Sequence, residues 1–93
     1  MSAATVRREG EALVFAGALE RAAVAGLWRQ AQPLLKDLRR LDLSAVSAVD
    51  SAGLALLAEL AARAPDIGVI GAPPGLSELR AAYRLDEGLG FSS

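Results

Sequence analysis

Between Leu41 and Ala64 the chain changes its hydrophobic period once. Leu41-Asp42-Leu43-Ser44-Ala45-Val46 alternates apolar with small or polar residues, and Ser47-Ala48-Val49-Asp50-Ser51 follows as a link. A helical run then extends from Ala52 to Ala64 and stops at Pro65-Asp66. An apolar strand that hands over to a helix within a few residues is half of a βαβ unit, and it commits the chain to parallel strands with helices laid on the sheet. Ile67-Gly68-Val69-Ile70 supplies the strand that completes the unit, ended by Gly71-Ala72-Pro73-Pro74-Gly75.

The flanking segments extend this layer. Thr5 to Arg8 and Ala12-Leu13-Val14-Phe15-Ala16 read as two strands joined by a tight reversal at Glu9-Gly10, with Gly17 closing the hairpin. From Val24 the apolar residues Val24, Leu27, Trp28, Ala31, Leu34, Leu35 and Leu38 recur at threes and fours, the spacing of one buried helix face. Pro33 falls inside that pattern. Its ring removes a backbone donor and disfavours helical geometry at Gln32, so the helix either kinks or ends near Gln30 to Gln32, and the pattern does not choose. A last helix from about Leu76 to Tyr83 directs Leu76, Leu79, Ala82 and Tyr83 inward, and Asp86 to Ser93 is a tail containing Gly and Ser. The predicted architecture is a small α/β domain, a mixed four-stranded sheet with helices packed on it. It is expected to be a single domain over residues 1–93, with a core of about 5–85 and a tail at 86–93.

Composition narrows the function. Hydrophobic residues are 53% of the chain and charged ones 23%, enough to build a core. Ten basic and eleven acidic residues give a net charge of −1, with no basic run beyond Arg7-Arg8 and Arg39-Arg40, so nucleic acid is not an expected partner. There is no Cys and no His, which removes disulfides, thiolate nucleophiles, zinc sites with nitrogen or sulfur ligands and a histidine base. Charges at Arg7, Arg8, Glu9, Glu11, Glu20 and Arg21 break up any secretory signal core, and no charge-free run is long enough to span a bilayer. The expected location is the cytoplasm. An apolar excess of Ala and Leu with few aromatics suggests more apolar surface than a solitary small domain leaves exposed, and so an obligate partner.

Asp50-Ser51-Ala52-Gly53-Leu54 stands where a strand and its link meet a helix, and Asp50 or Ser51 is its expected N-cap, with Gly53 allowing close packing against the preceding loop. A hydroxyl there is also placed for phosphorylation, because the helix N-terminus favours a phosphate's charge. Projected at about 100° per residue, Leu54, Leu56, Leu57 and Leu60 share the arc that faces the sheet. The opposite side carries Ser51, Ala55, Ala58 and Ala62 in a row, flanked by Glu59 and Arg63. Two readings of that row stand side by side: abundant Ala as a good helix former, or a smooth stripe on which a partner's helix approaches closely with Ser51 as a polar contact. Trp28, the only Trp, is either a core residue or an interface anchor. Asp42 and Asp50 as a magnesium pair are a weak signal, and Asp42 reads as a solvent-facing strand residue. No glycine-rich loop with Lys follows a strand, so nucleotide hydrolysis is not supported, and no cofactor or metal is expected. A carboxylate adjacent in sequence to Ser is not an oriented base, so catalysis by Asp50 and Ser51 is not expected either.

The run from Leu41 to Leu57 resembles the central motif of STAS domains, the fold of bacterial anti-sigma-factor antagonists, and the resemblance extends over Thr5 to Leu85. Within that family the chain is most similar to the MlaB-type branch, through Asp42-Leu43-Ser44, Val46-Ser47 and Val49-Asp50, the Leu27-Trp28 pair, and the ending Leu79 to Leu85 with Tyr83. Pro33 and a tail from Glu87 to Ser93 without a clear last helix depart from the pattern. The resemblance implies a non-enzymatic subunit that binds the cytoplasmic ATPase of a phospholipid-transport ABC complex maintaining outer-membrane lipid asymmetry, peripheral to the inner membrane through that complex. The resemblance supplies the partner, and the helix projection supplies the expected partner-binding residues, Asp50, Ser51, Ala55, Ala58, Glu59 and Ala62. In the MlaB branch the position of Ser51 is usually Thr and helps bind the ATPase. In the antagonist branch that position is the Ser phosphorylated by a serine kinase anti-sigma factor, which makes a switch at Ser51 the alternative.

Overall fold

The computed structural model describes residues 4–63 and 67–83. Its elements in chain order are β1 (Thr5–Glu9), β2 (Ala12–Leu19), α1 (Arg21–Ala31), a 3-10 turn (Gln32–Leu34), β3 (Arg40–Val49), α2 (Ser51–Ala62), β4 (Gly68–Ile70) and α3 (Leu76–Tyr83). The sheet order is β1-β2-β3-β4, antiparallel between β1 and β2 and parallel thereafter, the mixed four-stranded α/β layer the sequence predicts. Right-handed crossovers that step in one direction across a sheet put their helices on the same face. Accordingly α1 and α2 touch each other, and the domain is only 20 Å thick along its shortest axis, two layers deep. The other face carries the in-register row Arg7, Val14, Asp42 and Ile70. Ile70 is the exposed large apolar side chain among the described residues.

Between the layers, Leu13, Phe15 and Leu19 of β2, Leu41 and Leu43 of β3, Leu27 of α1 and Leu57 and Leu60 of α2 are almost wholly buried. Each such side chain contributes about 1.5–3 kcal/mol relative to exposure. Their positions explain why β3 is longer than the Leu41 to Val46 alternation suggests. Eight residues of β2 lie against ten of β3, with register shifts between Val14 and Ala16 and between Gly17 and Ala18. Each shift is a β-bulge that inserts one extra residue in β3, so the inward positions run Leu41, Leu43, Val46, Val49 at spacings of two, three and three. Ser47-Ala48-Val49, expected as a link, therefore belongs to the strand. At the first bulge the Ser44 amide donates to Asp42 Oδ1 at 2.9 Å, giving the displaced backbone a partner.

Three local expectations need correction. The second strand does not end at Ala16: its pairing with β1 stops there, just before Gly17, but β2 continues to the buried Leu19, and Gly17 takes φ 87° inside the strand, beside the second shift. Helix one starts at Arg21 rather than Val24 and ends at Ala31, so Pro33 terminates it rather than kinking it, and Pro33 itself lies in the 3-10 turn. Leu34, Leu35 and Leu38 consequently reach the core from a turn and a connection, not from a helix face. That connection is held by Arg8, whose guanidinium donates to the carbonyls of Gly10 and Leu34, both at 2.8 Å, and to those of Lys36 and Asp37. In α3 Leu76 is buried and Leu79 packs on the core. The side chains of Ala82 and Tyr83, for which inward placement is expected, are not described, and the Pro65-Asp66 stop and the tail lie outside the described residues.

Candidate functional site

Asp50 ends the link between β3 and α2 in extended backbone, φ −101° and ψ −176°, the conformation of an N-cap. The choice between Asp50 and Ser51 is thereby settled: Asp50 Oδ1 accepts from the Gly53 amide at 2.8 Å, and Ser51 is the first helical residue. Its second oxygen, Oδ2, accepts from the amide of Arg21, the first residue of α1, at 3.0 Å. Glu20, the N-cap position of α1, makes no side-chain cap of its own. One carboxylate thus serves two helix starts, and the Gly53 amide, then the Arg21 amide, hold Asp50 below the ordinary carboxylate pKa.

Gly53 is explained by the same junction. A Cβ there would overlap the Leu19 carbonyl oxygen and come within 2.8 Å of its carbon. The close packing expected of Gly53 is therefore against the end of β2, not against the loop before the helix. The Asp50 amide donates to that Leu19 carbonyl at 3.2 Å, so β2, the link and both helix starts meet within one turn of backbone.

Along α2 the four leucines Leu54, Leu56, Leu57 and Leu60 are buried, as the projection predicts. On the opposite side Ser51, Ala55 and Ala62 are exposed and Ala58 is half-buried, with Glu59 exposed beside them. Glu59 pairs with Arg63 at 3.6 Å across one helical turn, a pair worth about 0.3–0.5 kcal/mol. Arg63 also lies over the ring of Trp28, 5.0 Å from its centroid, a contact worth about 0.5–1 kcal/mol where exposed. Trp28 is half-buried, packed against the core and covered by Arg63, so it is a core residue only in part. The structure brings Asp50, Ser51, Ala55, Ala58, Glu59 and Ala62 onto one continuous surface of α2 and its cap, with Trp28 at the far end through Arg63.

Asp42 is elsewhere, on the open face of the sheet, and its carboxyl is held below the ordinary range first by the Ser44 amide. It does not meet Asp50, whose oxygens are both engaged by backbone amides. Among the described residues no group of three or more potential ligands is gathered for a metal ion. Both Asp50 oxygens accept from backbone amides, the bonds of a helix cap. What the surface offers chemically is shape: a shallow row of small side chains with a hydroxyl at its head and a charged pair at its side. Arg21 is the participant that sequence reasoning missed. Its contribution is a backbone amide, and no side-chain pattern announces a bond between residues so far apart in the chain.

Among the described residues no helix is long and apolar enough to cross a membrane. Against known families, a model described as Mlab, STAS domain matches residues 4–90. No curated protein matches the chain.

Proposed function

Because the chain belongs to the MlaB-type branch of the STAS-domain family, whose members mediate protein–protein interactions, we propose that it is a non-enzymatic subunit of a phospholipid-transport ABC complex. In this reading it lies in the cytoplasm, peripheral to the inner membrane, and its α2 surface docks on the transporter's ATPase and stabilises or regulates it. The complex would maintain the lipid asymmetry of the outer membrane. The observation that carries the reading is the division of α2: four leucines committed to the core and, opposite them, the Ser51, Ala55, Ala58 and Ala62 row left facing outward. Small side chains let a partner's backbone approach closely, and a lasting complex needs about 1,000 Å² or more of interface. Asp50 and Glu59 border the row, and Trp28 lies within reach of its distal end. The engagement of both Asp50 oxygens by amides supports a binding role over a catalytic one.

The exposure of Ser51 favours one second reading, a phosphorylation-controlled antagonist of an anti-sigma kinase. A single experiment separates the two. The tagged chain is purified from its host in mild detergent, and the co-purifying proteins and the state of Ser51 are determined by mass spectrometry. Recovery of an ABC ATPase and its permease with unmodified Ser51 is the expected result. Recovery of a soluble serine kinase, or a phosphate on Ser51, would replace the transporter reading with the switch.

A further inference from the structure

We infer that Asp50 is a positioning residue for a two-helix docking face, fixing α1 against α2 by giving one carboxylate oxygen to the first turn of each. The inference rests on the docking reading above but concerns how its surface is held. The strands β2 and β3 are parallel, so α1 and α2, which follow them, run in the same direction with their N-termini side by side. At that end the two helices are joined through Asp50, by the Arg21 amide at 3.0 Å and the Gly53 amide at 2.8 Å. Toward the other end they are joined through Arg63, the C-cap of α2, over the ring of Trp28 in α1. The helix pair is therefore tied at two separated points. The Asp50 tie is the one α1 cannot replace, because Glu20 makes no cap. Asp50 acts through the helices it aligns, with one backbone amide bonded to each of its oxygens.

The tie can be cut without touching Asp50. Arg21 is the first residue of α1, where proline is tolerated and its missing amide costs the helix nothing. Glu20 before it is already extended, φ −121° and ψ 164°, as a residue preceding proline prefers. Arg21→Pro thus deletes the donor to Oδ2, while Arg21→Ala removes the same side chain and keeps the donor. Asp50→Ser is the second probe, retaining an N-cap for α2 with a side chain too short to serve α1. In the free chain, Asp50 titration by carboxyl NMR reports the bond, and emission of Trp28, the only Trp of the sequence, reports the far end of the helix pair. Capture of the ABC ATPase from detergent extracts reports the face.

The expected result is that Arg21→Pro raises the Asp50 pKa toward the ordinary value, shifts Trp28 emission and weakens capture about tenfold, the effect of one charge-assisted hydrogen bond. Asp50→Ser should shift emission and weaken capture likewise, and Arg21→Ala, which removes only the minor contribution of the guanidinium charge to the Asp50 pKa, should leave Trp28 emission and capture as in the unmodified chain. The inference is overturned if Asp50 titration moves in Arg21→Pro while Trp28 emission and capture do not, or if Asp50→Ser leaves both unchanged. Should Arg21→Pro fail to fold, Asp50→Ser decides alone. If the unmodified chain captures no ATPase, the docking reading fails, whereas the emission of Trp28 in the free variants still confirms or refutes the positioning role.

Discussion

The two helices on the covered face of the sheet are neighbours with the same direction, yet they are specified differently. α2 carries its own cap and buries six of its twelve residues. α1 buries two of eleven, Leu27 and Ala31, is stopped by a proline outside it, and takes its cap from a residue of another connection. A helix that brings its own cap and a leucine face is placed by its own sequence. A helix with neither is placed by what it leans on, and here it leans on the first.

Substitutions in equivalent roles test that difference. The largest effect is expected at Gly53 of α2: Gly53→Ala drives a methyl group into the Leu19 backbone and should cost about 4 kcal/mol or more, enough to leave little folded chain by circular dichroism. Leu57→Ala, which empties a fully buried position facing the sheet, should cost about 2–5 kcal/mol in urea unfolding. A loss on that scale from Val24→Ala in α1, half-buried at the core's edge, would break the comparison.

Acid should act on both helices together. The folded pKa of Asp50 is lowered, so its contribution to stability is fully present above the unfolded value of about 3.9 and is lost as pH falls through the folded one. Unfolding midpoints should fall below about pH 4. Asp50→Asn should flatten that fall, leaving the part due to Asp42, whose pKa is lowered in the same direction. Gly26 of α1 is the counterpart of Gly53, and a methyl group there meets nothing within 4 Å. Gly26→Ala should therefore stabilise by about 0.5–1 kcal/mol in the same urea series. Ala55→Glu, exposed on α2, should change stability by no more than about 0.5 kcal/mol. It should nevertheless abolish capture of the ATPase, and undiminished capture would sink the docking surface.

The same asymmetry decided what was legible before the structure. The leucine face of α2, its start at Asp50-Ser51 and the mixed sheet followed from period and turn chemistry, because each depends on residues a few positions apart. The far end of β3 did not, although its signal is present. Apolar residues at 41, 43, 46 and 49 fit neither a period of two nor a helix, and that misfit is what two bulges look like in a sequence. The end of α1 was legible as a choice of two, since Pro33 forbids continuation without saying what replaces it. The contact from Asp50 to Arg21 was not legible at all, because a backbone amide has no residue type. The small-residue row was visible in full, yet composition alone left it between abundance and purpose; its outward placement is what the fold added.

The ten residues of β3 laid against eight of β2 work like a vernier, two scales of unequal division that coincide only at chosen marks. They pair from Arg40 beside Ala12 to Val49 beside Leu19, realigned after each bulge, and the last pair delivers Asp50 to the point where both helices begin. Chain length in this strand is therefore not slack that drift can trim. A lineage is free to exchange Ser44 or Ser47 for other small residues, but shortening the segment by one would carry the carboxylate away from its two amides, so substitutions should accumulate here where deletions do not.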